Sequence, residues 1–337
     1  MTVEREILEK LLKIPTVSGH ESEYAPKIAE ALSVYFDGIS IDRVGNITVL
    51  KRAKKPNAKR LLIDAHIDQI GFLVSKIEDG GFLRVASVGG IDARTLPSSD
   101  VLVCSDTPFF AVISSTPPHL SDSDGKLTGA LEILIDTGFS SDELKSRVRI
   151  GDAVVFAGLP ADLAFGAICS PALDNKLCAA AALAALYEAE CEYDTCVLLS
   201  VREESGGFVG ARVGIAEIKP DMAIVCDVNF ARAYGAQRRE SIERGKGPSV
   251  SISALTDKSL TNEIISLAKQ KKIPLQTVVE ASNLGSNANV AAITAEGVRT
   301  AAISLPITNM HSTSECASLS DLCEMKRLLA EIMGGKI

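Results

Sequence analysis

Residues 197–207 have the sequence Val-Leu-Leu-Ser-Val-Arg-Glu-Glu-Ser-Gly-Gly. The first five residues are typical of a buried strand, and the glycine pair predicts a turn directly after it. Glu203 and Glu204 lie between the strand and the turn. Two adjacent carboxylates repel each other and lose hydration on burial unless a cation lies beside them. The segment therefore suggests a metal site at the end of a buried strand.

On both sides of this segment, strand patterns alternate with helical ones. Such alternation is typical of a largely parallel sheet covered by helices on both faces. We predict an α/β fold with a three-layer α/β/α domain and a mixed, mostly parallel sheet. Helices are predicted at 4–14, 175–190, 208–216, 260–270, 287–296 and 320–333. A further helix is predicted to start at a capping box of Ser18 and Glu21. The predicted strands are 39–44, 47–50, 60–66, 195–202, 221–228, 249–255, 274–279 and 299–305.

The stretch from residue 70 to residue 161 has a different pattern. Its apolar runs are short and broken by Gly, Pro, Ser and Asp, and its only helical pattern covers 141–148. This is typical of a small all-β, barrel-like module. We therefore predict a main domain of residues 1–69 and 162–337, interrupted by an inserted β-rich domain of residues 70–161.

The composition argues against several classes of function. The chain has 337 residues, a net charge of -8 and 46% hydrophobic residues, as in an ordinary globular protein. A nucleic-acid surface would need a clustered basic excess, and a membrane span would need about 18 consecutive apolar residues. The eight cysteines show no paired spacing, and the amino terminus has no apolar signal core. We expect a cytoplasmic protein without a nucleic-acid or membrane partner.

Four more metal-compatible residues fall at the ends of apolar segments. His66 and Asp227 end predicted strands, Asp174 precedes a helix, and His311 follows a strand by a short loop. Each alone has an ordinary explanation, such as a helix cap for Asp174. In open α/β sheets, however, functional groups collect at the carboxyl ends of the strands. Together with the glutamate pair, these residues predict one site at that edge.

Four short motifs resemble those of a known enzyme family. They are His-Ile-Asp-Gln-Ile-Gly-Phe at 66–72, Leu-Asp-Asn-Lys at 173–176, Glu-Glu-Ser-Gly at 203–206 and Met-His-Ser at 310–312. Their order and intervals resemble metallopeptidase family forty-two, the dinuclear aminopeptidases that include glutamyl aminopeptidases and the tetrahedral (TET) particles. Some relatives have also been labelled endoglucanases. The resemblance covers essentially the whole chain.

The resemblance implies a site that holds two divalent metal ions. Asp174 would bridge the two metals. His66 and Asp227 would complete the ligands of one metal. Glu204 and His311 would complete those of the other. Mixed imidazole and carboxylate ligands suit zinc, with cobalt or manganese as alternatives.

Two further acidic residues receive other roles from the resemblance. Asp68 would orient the ring of His66. Glu203 would act as the general base for a hydroxide that bridges the metals. The resemblance also implies a cis peptide bond between Asp174 and Asn175.

The implied activity is hydrolysis of the amino-terminal peptide bond of short peptides by a homo-oligomer, from a dimer up to a dodecamer, assembled through the insertion. A dinuclear deacylase or amidohydrolase acting on N-acylated amino acids would use a similar metal core and is the alternative. A glycosidase is disfavoured, because the chain has no Trp and its carboxylates are better explained by metals. A metal-free binding or assembly protein is also disfavoured, because it would not need Glu203.

The chain departs from the family pattern at three places. Gln69 replaces a common Glu, Gly-Ser-Asn-Ala at 285–288 replaces Gly-Thr-Asp-Ala, and Thr308-Asn309 replaces an Arg-Tyr pair. None of these changes removes an implied metal ligand. We expect them to lie near substrate or oligomer contacts, so the sequence does not predict which amino-terminal residue is preferred.

Overall fold

The computed structural model describes residues 1–115, 133–233 and 242–337. Its helices are α1 (Val3–Leu12), α2 (Glu21–Leu32), α3 (Ser141–Arg147), α4 (Leu173–Glu188), α5 (Val209–Ile218), α6 (Lys258–Lys271), α7 (Ala288–Ala291) and α8 (Leu319–Met333). Its strands are β1 (Ile39–Ile41), β2 (Ile47–Lys51), β3 (Arg60–His66), β4 (Gly71–Ile77), β5 (Phe82–Val88), β6 (Asp100–Cys104), β7 (Phe109–Ile113), β8 (Leu134–Asp136), β9 (Ala153–Phe156), β10 (Ala161–Leu163), β11 (Ala167–Ser170), β12 (Asp194–Ser200), β13 (Met222–Phe230), β14 (Ser249–Ile252), β15 (Gln276–Val279), β16 (Arg299–Ile307) and β17 (Glu315–Ser318).

The central sheet has eight strands in the order β1-β2-β12-β3-β13-β16-β14-β15. Its four middle strands, from β12 to β16, run parallel to one another. At one edge, β2 runs antiparallel to β12, and β1 runs antiparallel to β2. Towards the other edge, β14 runs antiparallel to β16. The middle strands are buried along most of their length, as expected for strands covered on both faces. The predicted mixed, mostly parallel sheet is confirmed.

Helices cover both faces of this sheet. On one face, α1, α2, α4, α6 and α8 bury their apolar side chains in one large core. On the other face, α5 and α7 pack in a smaller core against β3, β12 and β13. Every residue of α4 from Leu173 to Leu186 is buried, because this alanine-rich helix lies between the sheet and two other helices. No helix in the described ranges is both long and apolar enough to cross a membrane.

The second part of the fold is a closed barrel with the strand order β4-β5-β8-β7-β6-β9. Its strands lie between Gly71 and Phe156, and its interior is a separate apolar core. The short helix α3 begins with a capping box formed by Ser140 and Glu143. The predicted small barrel-like module and its single helix are therefore present. Part of the predicted insertion, residues 116–132, lies outside the described residues.

Two predictions about secondary structure were wrong, and one small sheet was missed. The helix expected at 287–296 is only one turn long, Ala288–Ala291. The capping box of Ser18 and Glu21 does not form, because the Ser18 hydroxyl instead donates to a buried Asp68 carboxylate oxygen at 2.7 Å. The small sheet β10-β11-β17 was not predicted. Its strands have only three or four residues, which is too short to show a periodic pattern.

The contact of α5 with the end of β12 leads to a test of packing. A Cβ atom added to Gly210 would lie 2.3 Å from Val201 N and 2.4 Å from Asn46 Oδ1. Neither atom moves freely, because Val201 N donates to Asn46 Oδ1 at 3.1 Å. We expect Gly210→Ala to destabilise the fold by about 1–3 kcal/mol, although alanine favours helices, and to lower the midpoint of thermal inactivation. Gly38→Ala is the control, since its Cβ would meet only Leu50 O at 3.5 Å. Equal midpoints for both variants would show that the close contact at Gly210 does not limit the size of its side chain.

Candidate metal centre

The predicted site residues meet at the carboxyl edge of the central sheet. His66 is the last residue of β3, and Asp227 lies in the neighbouring strand β13. Residues 203–204 follow β12, which pairs with β3 on its other side. Asp174 lies in the first turn of α4, and His311 lies in the loop between β16 and β17. Five segments that are distant in sequence therefore bring their side chains to one place.

Asp174 lies between the two histidines. His66 Nε2 is 3.1 Å from Asp174 Oδ1 and 3.5 Å from Asp227 Oδ1. On the other side, His311 Nε2 is 3.2 Å from Asp174 Oδ2 and 3.2 Å from Glu204 Oε1. The described residues form three groups of potential metal ligands whose ligand atoms lie within 4.8 Å of one another. Two of them, His66 with Asp174 and Asp227 and His311 with Asp174 and Glu204, share Asp174, and the third joins His66, Glu203 and Glu204.

The orientation of both imidazole rings is fixed through Nδ1. His66 Nδ1 is 3.0 Å from the backbone carbonyl oxygen of Asp68, and His311 Nδ1 is 2.7 Å from that of Gly90. Because a carbonyl oxygen only accepts hydrogen bonds, each Nδ1 carries a proton and donates it. Each Nε2 therefore faces carboxylate oxygens, and either a second proton or a cation must lie between them.

The charges of the cluster favour cations over protons. Five carboxylates lie around the two imidazoles, those of Asp68, Asp174, Asp227, Glu203 and Glu204, so protonation of both rings would still leave negative charge uncompensated. Asp174 Oδ1 is buried and has no hydrogen-bond partner among the described residues. A buried oxygen of this kind costs free energy unless a cation binds it. Because nitrogen and oxygen donors of this kind bind divalent transition metals, the residues fit such ions.

Burial and the neighbouring charges shift the pKa values of His311 and Glu203. Burial lowers the pKa of His311, but hydrogen bonds to Asp174 and Glu204 outweigh it and raise this pKa to about 11. Burial raises the pKa of Glu203 to about 9, and repulsion from Asp227 and Glu204 adds to the effect of burial. The cluster therefore attracts positive charge strongly.

Known proteins with similar sequences are peptide-cleaving enzymes by family, and the chain matches them over most of its length. Residues 45–328 match the M42 glutamyl aminopeptidase family. The chain is also 32% identical over 329 residues to the lysyl aminopeptidase of Pyrococcus furiosus, a match that covers 95% of this chain and 94% of that protein. The chain belongs to the M42 family. It is therefore a metallo-aminopeptidase, a hydrolase that acts on peptide bonds, and the family inferred from the four sequence motifs is confirmed.

Solved structures of other peptidases share the fold. An aminopeptidase of Desulfurococcus kamchatkensis superposes with a TM-score of 0.91 at 31% identity, covering 98% of this chain and 94% of that one. The Pyrococcus horikoshii TET1 peptidase, which can assemble into a tetrahedron or a large octahedral shell, superposes with a TM-score of 0.84 at 29% identity, covering 98% and 99%. The predicted fold class, a three-layer α/β/α domain with a small barrel-like β domain, is confirmed.

In this M42 chain, Asp68 holds the glutamate pair as well as His66. Its Oδ1 atom lies 3.6 Å from His66 Nδ1, and the backbone carbonyl makes the closer contact. The carboxylate accepts the backbone N–H groups of Glu203 and Glu204, both at 3.1 Å, and the hydroxyl of Ser18. Asp68 therefore fixes the turn after β12 against the end of β3.

Glu203 and Glu204 point to different parts of the site. Glu204 contacts His311, whereas a carboxylate oxygen of Glu203 lies within 4.8 Å of ligand atoms of both His66 and Glu204. Among the described residues, the side chain of Glu203 accepts no hydrogen bond. Its carboxyl group is half-buried and remains available to a molecule that enters the site.

The beginning of α4 is irregular where Asp174 enters the site. Asp174 and Asn175 have non-helical backbone angles, and the peptide bond between them is cis, as predicted. The Asn175 side chain donates to the backbone carbonyl of Cys226 at 2.9 Å, and the Cys178 thiol donates to that of Asp227 at 3.0 Å. These bonds tie the start of α4 to β13.

One residue of the site was missed by the sequence analysis. Glu315, the first residue of β17, is 1% exposed. Its Oε1 accepts the backbone N–H of His311 at 2.8 Å, and its Oε2 accepts that of Asp174 at 3.0 Å. Burial raises the pKa of Glu315 to about 8, and the nearby Asp174 adds to this. In the sequence, the only indication of Glu315 is its position four residues after His311.

Two of the three departures from the family pattern are buried in the fold. The side-chain oxygen of Gln69 accepts a hydrogen bond from Lys176 Nζ at 2.8 Å. Asn287 donates to Asp64 and Ser200, both at 2.9 Å. Their polar groups complete hydrogen bonds inside the fold, and the expectation that they lie near substrate or oligomer contacts stays a prediction. Thr308 pairs with Cys316 of β17 through the backbone.

The two contacts of Glu315 predict a loss of metal binding in a variant. In Glu315→Gln, the amide nitrogen would face one of the two backbone N–H groups, so one hydrogen bond is lost. We expect divalent metal affinity to fall by about 10–100-fold, measured by competition with a chromogenic chelator. Glu4→Gln is the matched control, since Glu4 is equally buried but contacts Cys323 and Lys326. The same affinity in both variants would contradict a positioning role for Glu315.

Proposed function

We propose that this M42 chain removes the amino-terminal residue of short peptides with two divalent metal ions. The observation that carries this proposal is the position of Asp174, which presents one carboxylate oxygen to His66 and the other to His311. Asp174 would be the ligand shared by the two metals. His66 and Asp227 would complete the ligands of one metal, and Glu204 and His311 those of the other. Metals held there would supply Lewis acidity for the scissile carbonyl and for the attacking water.

Glu203 moves the proton in this proposal. Its carboxylate lies beside the ligands and accepts no hydrogen bond from the described residues. Cations bound beside it would offset the repulsion from Asp227 and Glu204 that raises its pKa, so that it can accept a proton from the attacking water. The same carboxyl group then donates that proton to the leaving amine. The backbone bonds from residues 203 and 204 to Asp68 keep the base in place during this transfer.

The donor set supports zinc as the bound metal. Each of the two groups that contain Asp174 offers one imidazole and two carboxylates, which is the number of protein ligands that catalytic zinc sites use. Cobalt and manganese accept the same donors and are the alternatives. Cys169 and Cys316, which are partly exposed, do not belong to any of the groups of potential metal ligands.

We further propose that the chain is a homo-oligomer and that its β-rich domain, residues 70–161, mediates assembly. The similar TET1 peptidase of Pyrococcus horikoshii can assemble into a tetrahedron or a large octahedral shell. On the barrel, Phe110 is 75% exposed and Val112 is 40% exposed, and both lie on the same side of β7. Exposed apolar side chains that lie together are typical of protein interfaces. The remaining residues, 1–69 and 162–337, form the catalytic domain.

The glutamate pair predicts two variants that fail differently. Glu203→Gln keeps all five ligands, so we expect its metal content to match that of the unmodified protein while turnover falls by about 10²–10⁴-fold. Glu204→Gln removes a ligand, and we expect it to lose bound metal as well as activity. The measurements are elemental analysis of the purified proteins and hydrolysis of aminoacyl anilides. Substantial activity in Glu203→Gln would contradict its role as the base.

The substrate class is tested by comparing two kinds of amide. We expect the chelated protein to be inactive and to recover on addition of zinc, cobalt or manganese. The restored protein should hydrolyse aminoacyl anilides with a free amino group and leave N-acyl amino acids intact. The opposite preference would support the deacylase alternative. A panel of aminoacyl groups also identifies the preferred amino-terminal residue.

The proposed role of the barrel in assembly is tested by light scattering after gel filtration. We expect an oligomer for the unmodified chain and smaller species for Phe110→Asp, because the charge would be buried at the interface. Val34→Asp is the control, since Val34 is 69% exposed and lies outside the barrel. A monomer at all concentrations would contradict the proposed oligomer. An unchanged mass in Phe110→Asp would contradict this interface.

A further inference from the structure

Cys169 and Cys316 lie directly opposite each other in the small sheet. They are register partners of the antiparallel strands β11 and β17. The neighbouring pair, Ser170 and Glu315, is buried, whereas both cysteines are partly exposed. Because side chains alternate along a strand, Glu315 points towards the metal centre and the two thiols lie on the opposite face.

The backbone pairing places the two cysteines unusually close. Cys316 N donates to Thr308 O at 2.9 Å, and Thr308 N donates to Cys316 O at 3.0 Å. The hydrogen-bonding groups of Cys316 therefore point away from Cys169. The cysteines form a non-hydrogen-bonded pair, in which the Cα atoms lie about 4.5 Å apart. This separation is within the range of about 4.4–6.8 Å that a disulfide spans.

The thiols also face each other. Burial raises the pKa of Cys169, and the hydrogen bond and charge interaction with Cys316 raise it further. Cys316 Sγ donates to the backbone carbonyl of Ser314 at 3.4 Å. On its other side, Cys169 is paired with the small and exposed Ala161, so a small reagent can approach. Neither thiol belongs to the metal-binding groups.

We propose that Cys169 and Cys316 are a reversible disulfide site that reacts with low-molecular-weight disulfides. One protein thiolate attacks the reagent, a mixed disulfide forms, and one reagent thiolate leaves. The second protein thiolate attacks the protein sulfur of the mixed disulfide and releases the second reagent thiolate. The two protons of the cysteines pass to the two released thiolates. The protein loses two electrons, and the reagent gains them.

The disulfide would link the two segments that deliver Asp174 and His311. Cys169 precedes Asp174 by a short turn, and Cys316 follows the loop that contains His311. Glu315, next to Cys316, already joins the backbones of Asp174 and His311. A covalent bond behind this contact limits separation of the two segments, so bound metal should leave more slowly. This consequence rests on the proposed function, whereas formation of the disulfide does not.

The experiment treats the full-length, folded, metal-loaded protein with oxidised glutathione after complete reduction. We expect the intact mass to fall by two hydrogen atoms, with one linked peptide pair that contains Cys169 and Cys316. Reduction should restore the mass. The oxidised protein should release metal to a chelator severalfold more slowly than the reduced protein.

Matched variants separate the possible outcomes. Cys169→Ser and Cys316→Ser should each block the link and leave a mixed disulfide on the remaining thiol, whereas Cys104→Ser, in the barrel, should form it normally. Absence of the linked peptides in the unmodified protein, or glutathione on both cysteines without a link, would overturn the disulfide site. A link without slower metal release would overturn its effect on the ligands. An inactive enzyme that still forms the link would reject the proposed function alone.

Discussion

The carboxylate of Asp174, buried between two imidazoles, sets the requirements for the rest of the site. Its Oδ1 has no hydrogen-bond partner among the described residues, and other carboxylates lie on both sides of it. Such a group is stable only if positive charge lies beside each oxygen. Divalent metals supply that charge, and they also supply the Lewis acidity that peptide hydrolysis needs. The feature that is costly for folding is therefore the one that serves catalysis.

Each part of the fold contributes one constraint on this carboxylate. The parallel strands β3 and β13 bring His66 and Asp227 to one of its sides. On the other side, the His311 ring donates to the carbonyl of Gly90, just after barrel strand β5. The barrel segment thus helps to orient a site residue. The small sheet adds Glu315, which holds the backbones of Asp174 and His311 together.

The sequence predicted those parts of the site that follow from local patterns. Residues 60–66 and 195–202 show strands that end in polar groups, and strand ends meet at one edge of a parallel sheet. Glu315 could not be found in this way, because β17 has four residues and its role depends on contacts across the fold. For the same reason the hydrogen-bond partners of Gln69 and Asn287 could not be predicted. Their hydrogen bonds join segments that are distant in sequence.

The most direct test of the shared carboxylate is a crystal structure of the zinc-loaded protein with anomalous scattering data. We expect two zinc peaks about 3.5–4 Å apart, one on each side of Asp174. His66 and Asp227 should bind one ion, and Glu204 and His311 the other, with Glu203 bound to neither. A single peak, or two peaks that do not share Asp174, would rule out Asp174 as the shared ligand.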